Sequence, residues 1–222
     1  MARDATDEPA GGAGQREKSG DVEEAAMIEA AYRKLAADRS SSVSVSDILD
    51  ATGLGTRAFY RHFPSKDALL LAMFRRDSER VTSQLAGLVA AAPDASAALE
   101  EWVGFQLALC YDPRRFRRVQ VMMSDEVRRS PGYAQAQHDV AADQRALLVA
   151  ILERGQAQGS LPDGDPELDA RAIQAITGRL IEERSGNVDT LEWPEAKRYV
   201  LGFARRALGA RDRVPPRRSR PG

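Results

Sequence analysis

The chain has 222 residues, 43% hydrophobic and 29% charged, ordinary values for a globular protein of one large domain or two small ones. Its net charge of −1 argues against a protein that coats nucleic acid indiscriminately, since that affinity comes from neutralising phosphates, but it leaves room for a local cationic surface. The single cysteine, Cys110, excludes an intramolecular disulfide. No apolar run approaches a membrane span and no hydrophobic signal core opens the chain, so a cytoplasmic protein with no membrane partner is expected.

Residues 1–20 are rich in Gly, Ala, Asp and Glu and are expected to form a disordered tail. A first helix is predicted from Val22 to Asp38, with Ala25, Ile28, Ala31, Tyr32 and Leu35 on one face. Ser40-Ser41-Ser42 ends it. Ser44-x-x-Asp47 then matches a capping box, and a short helix follows in which Ile48 and Leu49 face inward. Gly53 stops that helix by taking a left-handed backbone angle that other residues adopt only at a cost. A third helix is predicted from Thr56 to Phe63. Pro64 breaks it, Ser65 caps a fourth from Lys66 to about Val89, and Leu69, Leu70, Met73 and Phe74 pack inward. Five or so further helices should follow, separated at Ala92-Pro93-Asp94, Asp112-Pro113, Ser130-Pro131-Gly132, Gly159 to Pro166 and Gly186 to Pro194. Residues 211–222, with three prolines and five arginines, again suggest a disordered tail. The predicted fold is all-α.

Two short helices joined by a tight glycine turn can hold one helix across a phosphate backbone and set the next in the major groove. The second helix of such a pair needs polar or cationic side chains facing out and apolar ones facing in. Thr56, Arg57, Tyr60 and Arg61 fall on one side, Phe59 and Phe63 on the other. From Gly53 to Lys66 there are three cations (Arg57, Arg61, Lys66) and no acid. That local charge is the footprint expected of a helix-turn-helix that binds double-stranded DNA.

The segment resembles the TetR family of bacterial transcription regulators. Asp47-Ile48, Gly53-Leu54, Phe59-Tyr60, His62-Phe63 and Ser65-Lys66 stand where that family places its D-I, G-V/L, L/F-Y, H/Y-F and S-K pairs, within a stretch from about Ile28 to Phe74. The resemblance implies a three-helix DNA-binding domain over residues 21–67. A larger helical domain for effector binding and dimerisation would cover 68–210. Thr56 and Arg57 would read base edges, with Arg57 suited to a bidentate contact with guanine. Tyr60 and Lys66 would contact backbone phosphate, with Arg61 beside them, and Ser46 and the Val45 amide would meet a phosphate at the start of the second helix. Gly55 replaces the family's usual Ser cap, and Ala58 replaces a common phosphate-binding Thr.

The middle of the chain concentrates large soft side chains: Trp102, Phe105, Leu109, Tyr111, Phe116, Met122, Met123 and Tyr133. They supply a core and, by the resemblance, the walls of a pocket for an unidentified small effector, hydrophobic or aromatic rather than highly charged. Leu168, Ala172, Ile176 and Leu180 line one stripe of a late helix; Tyr199, Val200, Phe203 and Ala207 line another. In a monomer these stripes would cover the core, and the family instead pairs them with their copies in a homodimer. His62 is expected to pack, Cys110 to be a small buried hydrophobe, and Arg114, Arg115, Arg117 and Arg118 to form a solvated face. No phosphate loop, metal-ligand spacing or nucleophile motif is present, so no enzyme activity, catalytic residue, cofactor or metal is expected. The expected function is a repressor released from a palindromic operator by its effector. The alternative is an architectural or interaction protein that uses its helix-turn-helix without an effector.

Overall fold

The computed structural model describes residues 12–37, 42–186 and 191–210, with the backbone alone for 12–19. Among them every regular element is a helix. Residues 1–11 of the tail expected over 1–20, and the tail expected at 211–222, lie outside the described residues, as do residues 38–41, which include Ser40 and Ser41, and 187–190 within the last break.

The chain divides into two compact units. The first comprises residues up to Arg76 together with Val121–Ala134; the second comprises Asp77–Gln120 and the chain from Gln135 onward. In the first unit α1 (Gly12–Ala37) packs on α2 (Val45–Thr52) and α3 (Thr56–His62), and α4 (Lys66–Ala91) begins at Lys66. The first helix starts ten residues before Val22, within the segment expected to be a tail. Gln15, Arg16, Glu17 and Lys18 have good helix propensity and no proline interrupts the stretch, so the helix continues through Gly14 and Gly20 despite its low apolar content.

The capping box of α2 forms as the spacing predicts. The Asp47 amide donates to Ser44 Oγ at 3.1 Å and the Ser44 amide donates to Asp47 Oδ2 at 2.9 Å. Gly53 closes α2 at φ +70°, its amide donating to the Leu49 carbonyl at 2.8 Å, and α3 restarts three residues later. Met27, Ile28, Ala31, Leu35, Ile48, Phe59, Phe63, Leu69, Leu70 and Met73 are buried in this unit. Leu49, expected to face in, is only half-buried.

In the second unit α5 (Ala95–Tyr111) packs against α9 (Pro166–Ser185) and α10 (Trp193–Ala207), and α9 packs against α10. The core runs through Leu85, Leu99, Trp102, Val103, Phe105, Leu107, Leu148, Ile151, Ile173, Leu180, Val200 and Leu201. Asp94 caps α5 by accepting from the Ala97 amide at 2.9 Å, as its place after Pro93 suggests. Between these elements run α6 (Pro113–Met122), the single turn α7 (Asp125–Arg128) and α8 (Tyr133–Gln158).

Residues 121–134 depart from the expected division at residue 67. Expected in the larger domain, they fall in the compact unit that carries α2 and α3. The physical reason is their packing on the first half of α4. Phe74 and Tyr133 bring their ring centroids to 4.6 Å, and Val127 is fully buried.

Candidate nucleic-acid interface

Helix α3 has seven residues, and its two sides differ sharply. Phe59 is fully buried and Phe63, at its C-cap, nearly so; their rings lie 5.9 Å apart. Tyr60 is 57% exposed despite sitting next to Phe59, whose ring it meets edge-on at 5.3 Å. Thr56, Arg57 and Arg61 are also exposed. The four outward positions named from the sequence therefore share the solvent side of one helix whose other side is anchored in the core. Arg57 makes no ion pair among the described residues.

The remaining cations are not free. Glu23, on α1, accepts from Arg61 Nη2 and lies 3.1 Å from His62 Nε2. These two cationic or protonatable neighbours, His62 first, hold the Glu23 carboxyl below its usual range. His62, expected to pack, is thus half-buried and also bound to an acid. Lys66 Nζ donates to Glu126 of α7. Neither acid was predicted as a partner, because each lies far from its cation in sequence: 38 residues for Glu23 and Arg61, 60 for Lys66 and Glu126.

At the start of α2, Ser46 is exposed and Val45 half-buried. A phosphate approaching there meets the Asp47 carboxylate, which already occupies the Ser44 amide. Bonds from the Ser44 hydroxyl and amide, and from Lys34 at 3.0 Å, pull the Asp47 pKa down to about 2. An anion pinned at this end offsets the attraction of the helix N-terminus for a second anion. Beside it, a mixed-charge cleft of about 470 Å³ is lined by Ala30, Arg33, Lys34, Asp47, Asp50 and Ala51.

The residues expected to line a pocket are divided. Trp102, Phe105, Leu109 and Phe116 belong to the second unit, whereas Met122, Met123 and Tyr133 belong to the first. Trp102 and Phe105 are buried in the second unit's core, and Trp102 Nε1 donates to the Gln144 carbonyl at 3.0 Å. Gln106 Nε2 donates to Gln144 Oε1 at 2.7 Å, so polar groups converge within this apolar region. The buried Cys110 thiol donates to the Leu107 carbonyl at 3.2 Å, and burial raises its pKa to about 11, the behaviour of a small hydrophobe. Arg114, Arg115 and Arg117 are exposed as expected, but Arg118 is partly buried and reaches the buried Asp77 carboxylate.

The late helices separate what sequence periodicity merges. Leu168, Tyr199, Phe203 and Ala207 are exposed and Ala172 and Ile176 half-buried, whereas Leu180 and Val200 are buried in the protomer's own core. Those last two therefore leave the set expected to form an interface. No helix among the described residues is long and apolar enough to cross a membrane.

Comparison with known proteins adds family context to this geometry. Residues 28–73 match the family model described as bacterial regulatory proteins, tetR family. The HTH-type transcriptional regulator EthR of Mycolicibacterium smegmatis is 27% identical over 169 residues, which span 75% of this chain and 74% of that protein. A solved structure from Pseudomonas aeruginosa superposes with a TM-score of 0.70 at 23% identity, covering 85% of this chain and 91% of its own. The transcriptional regulator FadR from Bacillus subtilis, solved in complex with stearoyl-CoA, superposes with a TM-score of 0.64 at 18% identity, covering 81% and 96%. At these identities the solved structures show a shared fold.

Proposed function

We propose that this chain, whose residues 28–73 match the tetR-family model and which is similar to a transcriptional regulator over 75% of its length, acts as a homodimeric repressor released from a palindromic operator by a small apolar effector. The observation that carries this is the division of α3 into a buried aromatic side and an exposed side of Thr56, Arg57, Tyr60 and Arg61. Thr56 and Arg57 read bases, and Arg57 is available to do so because no acid among the described residues pairs with it. Tyr60, Arg61 and Lys66 contact phosphates, the last two only by leaving their carboxylate partners. Ser46 and the Val45 amide make at most a minor contact, because the Asp47 carboxylate stands beside them. No catalytic step is assigned to any residue.

Two copies related by a twofold axis double the number of base pairs read, which a seven-residue helix needs for specificity. The exposed Leu168, Tyr199 and Phe203, flanked by Ala172, Ile176 and Ala207, support α9 and α10 as the dimer face. The effector site is proposed in the second unit around Trp102, Phe105, Leu109 and Phe116, with Gln106 and Gln144 as its polar contacts. Met122, Met123 and Tyr133 are left out of that lining because they pack with the other unit. Few polar groups among apolar walls is the usual make-up of such sites.

Helix α4 begins beside the reading helix and runs on across the division between the units at Arg76 and Asp77. A shift of α4 changes the separation of the two reading helices, which must meet grooves roughly 34 Å apart. A coupling of about 1–3 kcal/mol suffices, and linkage requires operator DNA to weaken effector binding by the same factor. The test is to titrate uncharged aliphatic and aromatic compounds against the protein with and without operator. Reciprocal weakening supports the switch, and equal affinity in both states refutes it.

A further inference from the structure

Lys66 stands at the first position of α4, where the proposed function needs a phosphate contact, and its ammonium is already bound to Glu126. The pair is partly shielded, with side-chain exposures of 34% for Lys66 and 20% for Glu126. Glu126 is not a mobile surface acid. Its neighbour Val127 is fully buried, so the single turn α7 is anchored at the residue next to the carboxylate. The segment is fixed again at Tyr133, whose ring meets Phe74 of α4. Between them Gly132 takes φ +88°, a backbone angle that favours glycine, and a Cβ there would sit a tight 3.2 Å from Leu71 Cδ2. Asp125, on the same turn, shows the contrast: it is 80% exposed and pairs with Arg129 at 3.7 Å in open solvent.

We propose that Glu126 is an affinity-setting residue for DNA, an internal carboxylate that competes with operator phosphate for Lys66. This deepens the proposed function and rests on Lys66 being a phosphate contact. The ammonium is paired with Glu126 in the free protein and needs that partner replaced when DNA docks, so each subunit gives up an ion pair on binding. Residues 121–134 are joined at one end to α6 and at the other to α8, and both helices continue into the second unit. The carboxylate that masks Lys66 is therefore carried by a segment from which the chain continues, on both sides, into the other unit.

Glu126→Gln keeps the size of the side chain and removes its charge. The expected gain in affinity for a duplex enriched from a random pool by the wild-type protein is about two- to fivefold per subunit, the range for a partly exposed ion pair, and the square of that for a symmetric dimer. It should shrink as salt is raised, because screening weakens the competing pair. Lys66→Ala separates direct competition from the loss of one negative charge near DNA. In the Lys66→Ala background, Glu126→Gln should change nothing. Thermal unfolding of each variant shows that the fold is kept, and Glu126→Asp, with its shorter reach, should give a smaller gain.

Equal affinity of wild type and Glu126→Gln, or the same gain with and without Lys66, overturns the proposal while leaving DNA binding intact. If Lys66→Ala alone leaves affinity unchanged, the phosphate role of Lys66 falls and the proposal with it. If no duplex is enriched, the DNA-binding function itself is refuted.

Discussion

Phe59 and Tyr60 are adjacent on α3 and should respond to mutation in opposite ways. Phe59 is fully buried, with its ring near those of Phe63 and Tyr60. A buried phenyl group removes roughly 200 Å² from water, which at roughly 25 cal/mol per Å² corresponds to about 5 kcal/mol as an upper bound. Phe59→Ala is therefore expected to cost about 3–5 kcal/mol, a large part of the stability of a small unit. Tyr60→Phe keeps the edge contact with Phe59 and removes only an exposed hydroxyl, so stability should change by less than about 0.5 kcal/mol. If that hydroxyl donates to a phosphate, DNA affinity should fall by about 1.5–3 kcal/mol, for all sequences alike. Urea unfolding followed by circular dichroism measures the first effect, and fluorescence anisotropy with a labelled duplex the second. A Tyr60→Phe protein as unstable as Phe59→Ala, or one that binds DNA like wild type, would refute the division of α3 into two sides.

Arg57→Ala should cost about 1–3 kcal/mol at one base pair per half-site and relax the preference there. Lys66→Ala should weaken every sequence equally, and identical profiles for the two variants would contradict their assigned roles. The Asp47 carboxyl, depressed to about 2 from an ordinary 3.8, contributes stability above pH 3.8 that is lost as pH falls through about 2. Carboxyl-carbon NMR should find Asp47 titrating near 2 and moving toward 3.8 in Ser44→Ala, whose hydroxyl is the largest cause of the shift; no movement would remove the capping box as that cause. Tyr199→Asp with Phe203→Asp should give a folded monomer by sedimentation at micromolar concentration, whereas Val200→Ala should cost stability. A persistent dimer in the charged variant would move the interface away from α9 and α10.

What the sequence made legible was local. Ser44 and Asp47 cap α2 from three residues apart, Gly53 turns it, and Pro64 and Ser65 separate α3 from α4, so spacing alone carries these features. The two sides of α3 follow from helical period and from the chemistry of Phe59 against Arg57. The acids that hold Arg61 and Lys66 were not legible, because Glu23 and Glu126 meet them only through tertiary packing. The placement of residues 121–134 was missed for the same reason: Val127, Gly132 and Tyr133 carry no periodic mark that says which helix they will touch. Periodicity also put Leu180 with Leu168 and Val200 with Tyr199, although one of each pair is buried and the other exposed. A stripe records that a face is apolar and does not record what covers it.

The most direct measurement is enrichment of duplexes from a random pool by the full-length protein, followed by affinity across a salt series for the enriched sequence and a scrambled one. An inverted repeat should emerge, bound by two copies. Log affinity should fall against log salt by roughly 0.9 for each phosphate neutralised, and the enriched sequence should lose its advantage in Arg57→Ala. Enrichment of no sequence, or a preference that survives Arg57→Ala unchanged, would contradict the assignment of α3 as the element that reads DNA.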